Sequence, residues 1–266
     1  MPLLNKNLSG CNMNLGLKGK KVIMNGGSHG LGLASLKTYA AEGCDIAFFS
    51  SNPERVAAAQ QAIDSAGPGK VFGTELDMTG NAEGYSAWLE KAVQDLGGCD
   101  IFIHTASASG QGATGDWDRC LDLDIKGATL AVDVLTPVLA QSDCGSIIFM
   151  SSTAAVETFL APQAFNAIKA AMITYGSQLS QALAPQGIRV NCVSPGPIEY
   201  PTGNWEAIKA SMKDFYAGIL AQMPMGRLGE PQEVANSIVF LSSPASPYTT
   251  GANLIIDGGF TKRVQF

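Results

Sequence analysis

Seven short apolar runs, each of strand length and each ending at glycine, serine or another small polar residue, constrain this chain more than any other feature. They lie in KKVIMNGG, CDIAFFSS, VFGTELDM, CDIFIHTAS, GSIIFMSS, GIRVNCVSPG and ANLIIDGG. A run such as SIIFM has no polar alternation, which suits a strand covered on both faces. Helical signals fall between the runs: residues 31–42, a stretch opened by Asn52, Pro53 and Glu54, and residues 82–96. Proline is well placed in a first helical turn, where its missing N–H loses no hydrogen bond. Strand–helix alternation of this kind predicts a single-domain α/β chain of Rossmann type, with a seven-stranded parallel sheet and helices on both faces.

The 266 residues suffice for one such domain. Residues 1–19 read as an N-terminal arm and residues 20–266 as the one main domain. Within it, residues 197–229 interrupt the rhythm with glycine and proline and are the expected substrate lid, because loops beyond the carboxyl strand ends form the ligand crevice. The net charge is -6 and no basic run occurs, so neither nucleic acid nor an anionic membrane is an expected partner. No apolar run reaches bilayer-spanning length and no signal-peptide pattern is present, so a cytoplasmic location is expected. Cys11, Cys44, Cys99, Cys120, Cys144 and Cys192 are scattered and read as reduced thiols. The two histidines, His29 and His104, have no ligand spacing, so no metal site is expected.

The first strand runs into NGGSHGLG, residues 25–32. Gly26, Gly30 and Gly32 permit a tight turn and close approach to a diphosphate, while the helix entered at Leu31 offers unpaired N–H groups to the anion. Ser28 and His29 complete the loop. The spacing differs from GxGxxG, and turn formation alone is the alternative reading. The second strand ends at Ser50, Ser51 and Asn52, with no carboxylate. A carboxylate there would hold ribose hydroxyls and disfavour a 2′-phosphate. Its absence, with His29 and Arg55 nearby, favours NADP, with NAD as the alternative; the same serines also suit a helix cap. Asp77, followed by Met78, suits either an adenine amino group or a cap.

Taken together, NGGSHGLG, Asp77, Ser151–Ser152, Lys169, NCVSPG at 191–196 and DGGF at 257–260 resemble the classical short-chain dehydrogenase/reductase family. The resemblance covers residues 20–260. It implies a nicotinamide-dependent oxidoreductase that interconverts an alcohol and a carbonyl through a serine, a tyrosine and a lysine. Ser152 and Lys169 stand in the serine and lysine places. Phe165 stands in the tyrosine place. Asp124, in LDLDIKG, stands where the family has asparagine. His104, Thr105, Ala106 and Ser107 replace its usual asparagine, asparagine, alanine and glycine. Pro195, Gly196 and Ile198 match the segment that approaches the nicotinamide carboxamide, and Thr202 comes later than usual. The family also implies a homo-oligomer, dimer or tetramer, assembled through helices at 127–139 and 165–183.

Hydride transfer to a carbonyl leaves an alkoxide that must be protonated. Phe165 shares a helix face with Lys169 but can neither donate nor accept a proton. Four readings follow. Phe165 is an inactivating change in an ordinary enzyme. Alternatively it is natural and another acid acts: His104, Lys169, or Asp124 through a water. The chain is otherwise a non-redox lyase or isomerase on the same scaffold, or an inactive homologue that binds a ligand or partner. The Tyr200 hydroxyl is a further candidate. Ser152 and His104 also have purely structural readings. Trp205, Phe215, Tyr216, Ile219, Leu220 and Met223 make the lid apolar, which points to a small hydrophobic or aromatic substrate.

Overall fold

The computed structural model describes residues 13–111, 114–158 and 162–264. Cys11 and positions 1–12 of the expected arm lie outside the described residues. Leu17, from the remainder of that segment, is buried and packs into the core.

The apolar runs form β1 (Lys21–Asn25), β2 (Asp45–Ser50), β3 (Val71–Glu75), β4 (Ile101–His104), β5 (Ser146–Met150), β6 (Arg189–Pro195) and β7 (Asn253–Ile256). All pair in parallel, in the order β3-β2-β1-β4-β5-β6-β7. The expected seven-stranded parallel sheet is thus present. Successive side chains leave opposite faces of a strand. Val22, Met24, Ile46 and Phe48 therefore pack beneath α1 (Gly30–Ala41), α2 (Pro53–Asp64) and, further along, α9 (Pro231–Ser242). Ile23, Ala47, Phe49 and Phe102 pack on the other face, with α3 (Ala82–Leu96), α5 (Gly127–Leu139) and α6 (Ala164–Leu183). Short α4 (Trp117–Cys120) leads through a π-helical turn, Leu121–Lys126, into α5. Helices α7 (Asn204–Ser211) and α8 (Lys213–Leu220) form the inserted segment after β6.

Local chemistry sets the helix starts. Asn52 caps α2 by accepting from Arg55 N at 2.8 Å, with Pro53 next. Glu230 and Glu233 form a reciprocal capping box on α9. Helix α1 starts at Gly30, one residue before the expected position, and no side chain caps it.

Strand order reverses between β1 and β4. In an open parallel sheet the crevice lies outside the carboxyl strand ends at that switch point. Among the described residues, no helix is long and apolar enough to cross a membrane.

Candidate active site

A cleft of about 610 Å³ opens along the carboxyl ends of the strands. Its lining runs from Gly26, Ser28, His29, Leu31 and Gly32, past Ser50, Ser51, Asp77 and Met78, to Ser152, Phe165, Lys169, Pro195, Gly196 and Ile198. Gly30 sits beneath Tyr200 at the edge of the same loop. Asn52 and Thr202 are not among the lining residues. Asn52 is occupied as the α2 cap. Thr202 is exposed, has φ 65 and donates its N–H to Glu206.

The glycine loop is built for close backbone approach. Gly26 and Gly30 have φ 77 and 54, a region that L side chains rarely adopt. A Cβ on Gly26 would lie 2.8 Å from Thr105 Oγ1, and one on Gly32 2.7 Å from Gly27 Cα. The first N–H groups of α1 face this loop without a side-chain cap or an acidic residue in the first turn.

At the β2 tip, Ser28 Oγ donates to Ser50 Oγ at 2.9 Å, and Ser51 and Arg55 line the cleft beside them. His29 lies on the same side; burial, then the charge of Arg55, hold its pKa below the ordinary value. Asp77 Oδ1 accepts from Thr79 N at 2.9 Å, so its carboxylate shapes its own loop while it lines the cleft.

At the other end, α6 brings Phe165 and Lys169 to one wall. The Phe165 N–H donates to Thr114 O at 3.0 Å, which fixes the helix start. Lys169 Nζ donates to Met150 O at 2.7 Å and lies 2.7 Å from Asp124 Oδ1. Both ionic side chains are buried, at 2% and 0% exposure. Nζ is 5.6 Å from the centre of the Phe165 ring. Asp124 comes from the π-helical turn, and its Oδ2 accepts from Ala108 N at 3.3 Å. Such turns are frequent at functional sites because the widened backbone re-aims one side chain. Ser152 Oγ accepts from Ala154 N at 3.1 Å; that bond uses a lone pair and not the O–H.

His104 is not brought to the cleft. It is fully buried at the end of β4. Asn25 explains its state. Asn25 Oδ1 accepts from Thr105 N at 2.7 Å and Ala106 N at 3.1 Å, so Nδ2 must face the other way. That amide contacts Tyr85 Oη at 3.0 Å and His104 Nδ1 at 2.5 Å. Since Nδ2 only donates, His104 Nδ1 accepts and the ring is neutral with its proton on Nε2. Burial, followed by the charge of Lys169, pushes its pKa down to about 4.

Tyr200 lies at the glycine-loop end. A Cβ on Gly30 would meet its Cζ at 2.7 Å, and its ring centre is 6.5 Å from that of His29. Trp205 and Ile208 of α7 line the cleft, with Phe215 stacked on Trp205 at 6.4 Å. Tyr216 turns away and donates to Glu199 at 2.7 Å; Ile219 and Met223 are buried. Phe260, Gln163, Asn166 and Thr114 also line the cleft and were not foreseen. Asp257 accepts from Gly259 N and Thr261 N, folding the DGGF turn that carries Phe260.

The described cysteines are free thiols. Among the described residues, one grouping has ligand-like proximity: Asp100, Asp143 and Cys144. It lies at the amino ends of β4 and β5, away from the cleft, and Lys20 already pairs with Asp143 at 2.5 Å.

Comparison with known proteins agrees with the fold. A family model described as enoyl-(acyl carrier protein) reductase matches residues 26–261. Isoepoxydon dehydrogenase from Aspergillus clavatus is 32% identical over 254 residues, covering 94% of this chain and 98% of its own. A short-chain dehydrogenase/reductase from Serratia marcescens has a TM-score of 0.82 at 30% identity, covering 92% of this chain and 98% of that one. L-sorbose reductase from Gluconobacter frateurii, complexed with NADPH and L-sorbose, has a TM-score of 0.85 at 27% identity, covering 95% and 100%. With a family model spanning nearly all of the sheet and its cleft, the chain belongs to the short-chain dehydrogenase/reductase family.

Proposed function

We propose that this chain is an NADP-preferring oxidoreductase that interconverts an alcohol and a carbonyl on a small hydrophobic or aromatic substrate. One observation carries the reading: a single cleft joins the glycine loop to Ser152 and Lys169. The loop suits a dinucleotide: glycine at 26 and 32 lets it pack tightly on Thr105 and Gly27, where a Cβ would collide. Gly26, Ser28, Gly30, Leu31 and Gly32 would hold the diphosphate. Ser50, Ser51, Arg55 and His29 would hold a 2′-phosphate, and no carboxylate stands at the β2 tip to repel it. Asp77 and Met78 would face the adenine, and Pro195, Gly196 and Ile198 the carboxamide. The NADPH named with the L-sorbose reductase supports the same cofactor class.

A bound nicotinamide dinucleotide supplies or accepts the hydride. Ser152 orients the substrate oxygen through its O–H. Lys169 takes the proton-handling role that Phe165 lacks. Met150 O accepts one of the three N–H donors of Nζ, and the Asp124 carboxylate holds its charge in place. In reduction a proton of Nζ passes to the substrate oxygen. Solvent then restores it. Positioned acid–base chemistry of this kind contributes roughly 10²–10⁴-fold. His104 is a structural residue in this scheme. Phe165, Trp205, Ile208 and Phe260 form the apolar wall that selects substrate, and residues 197–229 act as the lid. Exposed Leu121, in the turn packed against α5, and Trp117, in α4 beside α6, support assembly of two or four copies.

The missing phenol favours a second reading, a lyase or isomerase on the same scaffold. Cofactor absorbance followed with a carbonyl and alcohol panel, using NADPH and NADH in parallel, separates the two. Faster consumption of NADPH supports the oxidoreductase. Substrate conversion with no change in cofactor supports the non-redox enzyme. Cofactor binding with neither signal supports an inactive ligand-binding homologue.

A further inference from the structure

We infer that Asp124 and Phe165 are one coupled change: Asp124 supplies Lys169 with the counter-charge that a phenol at position 165 would otherwise provide when ionised. Asp124 is thereby a positioning residue for Lys169. The inference concerns charge inside the site and does not depend on the identity of the substrate or cofactor.

A buried ammonium needs an opposite charge or full hydrogen bonding. Lys169 is 2% exposed, and the Phe165 ring gives it only a quadrupole at 5.6 Å. The balancing charge comes from Asp124 Oδ1 at 2.7 Å, a carboxylate with no exposure. Asp124 is held on its other oxygen by Ala108 N and aimed by the π-helical turn. The site is therefore neutral as built. With asparagine at 124 and phenylalanine at 165, the ammonium would be uncompensated. With aspartate at 124 and an ionised phenol at 165, two anions would compete for one cation. Asp124 therefore fits a position 165 that carries no charge.

The test is spectroscopic. ¹³Cζ-tyrosine labelling of the full chain gives an additional resonance in Phe165→Tyr and in Phe165→Tyr/Asp124→Asn, and its pH titration reports the ionisation of the introduced phenol. An opposite charge within about 4–6 Å lowers such a pKa by roughly 1–3 units. In the single variant Asp124 cancels that field, so the phenol should titrate at or above its ordinary value of about 10. In the double variant it should fall by roughly 1–3 units. Thermal melts give the second readout: Asp124→Asn alone lowers Tm, and adding Phe165→Tyr recovers part of the loss. Equal phenol titration in the two variants overturns the inference. So does failure of the double variant to fold while Phe165→Tyr folds.

Discussion

Lys169 Nζ and Asp124 Oδ1 lie 2.7 Å apart in a position that solvent scarcely reaches. The pair joins α6 to the π-helical turn before α5, so it ties the cleft wall to the helix layer behind it. Removing one partner of such a pair strands the other charge and costs about 3–5 kcal/mol. Asp124→Ala should therefore lower unfolding free energy by that order. Asp124→Leu combined with Lys169→Met should cost less than the two single changes together. Urea denaturation of the parent and these variants checks this, and simple additivity would count against the pair as a unit.

His104 gives the stability a definite pH dependence. Its folded pKa, about 4, lies below the ordinary value of 6.5. Between these values the unfolded chain binds the extra proton and the folded chain does not, so stability rises with pH across that window. This contribution is complete above about pH 6.5 and is lost as pH falls towards 4, with a slope of at most roughly 1.4 kcal/mol per pH unit. His104→Asn keeps an acceptor for Asn25 and removes the titration. Its denaturation midpoints should depend less on pH between 4 and 6.5 than those of the parent. An unchanged slope would place the acid sensitivity elsewhere.

Cofactor choice is expected to turn on the β2 tip. Ser50 is within hydrogen-bond reach of Ser28 and lines the cleft with Arg55. Ser50→Asp introduces a carboxylate that repels a 2′-phosphate and accepts ribose hydroxyls. NADPH should bind at least about tenfold more weakly, equivalent to about 1.4 kcal/mol, and NADH no more weakly than before. Fluorescence titration with both cofactors reads this directly. Equal losses for the two would remove Ser50 from the discrimination.

Gly32 tests the cradle without adding charge. A Cβ there would lie 2.7 Å from Gly27 Cα, and a backbone atom cannot swing aside as a side chain can. Overpacking of this kind costs about 1–3 kcal/mol. Gly32→Ala should lower Tm and weaken NADPH binding together. Normal binding and stability would mean that the loop relaxes freely.

Much of this molecule was legible in its sequence. The strands announced themselves because β5 and its neighbours are apolar on both faces, and the glycine loop because strand, glycines and helix follow one another. Lys169, Phe165, Asp124 and Ser152 could be singled out from spacing and resemblance. The direct Asp124–Lys169 contact could not, because it joins two helices distant in sequence through a π-helical turn that leaves no compositional mark. Charge balance was the available signal: an acid stands at 124, where the resemblance implies asparagine, and no phenol stands at 165. His104 looked like an acid by residue type. Its place as the last residue of IFIH, a strand buried throughout, pointed instead to the core. Thr202 was expected at the cofactor, but Tyr200 lines the cleft. The turn at Asp257 is local and lies in the DGGF motif, but the reach of Phe260 into the cleft is a tertiary arrangement that local sequence does not encode.

The most direct measurement is carbonyl-dependent NADPH consumption by the unaltered chain, by Phe165→Tyr and by Lys169→Ala, assayed side by side on one substrate panel. Turnover by the unaltered chain is expected, with a loss of roughly 10²–10⁴-fold in Lys169→Ala and less than about a tenfold change in Phe165→Tyr. An inert parent that gains orders of magnitude from Phe165→Tyr would contradict this, and would make Phe165 an inactivating change in an otherwise ordinary reductase.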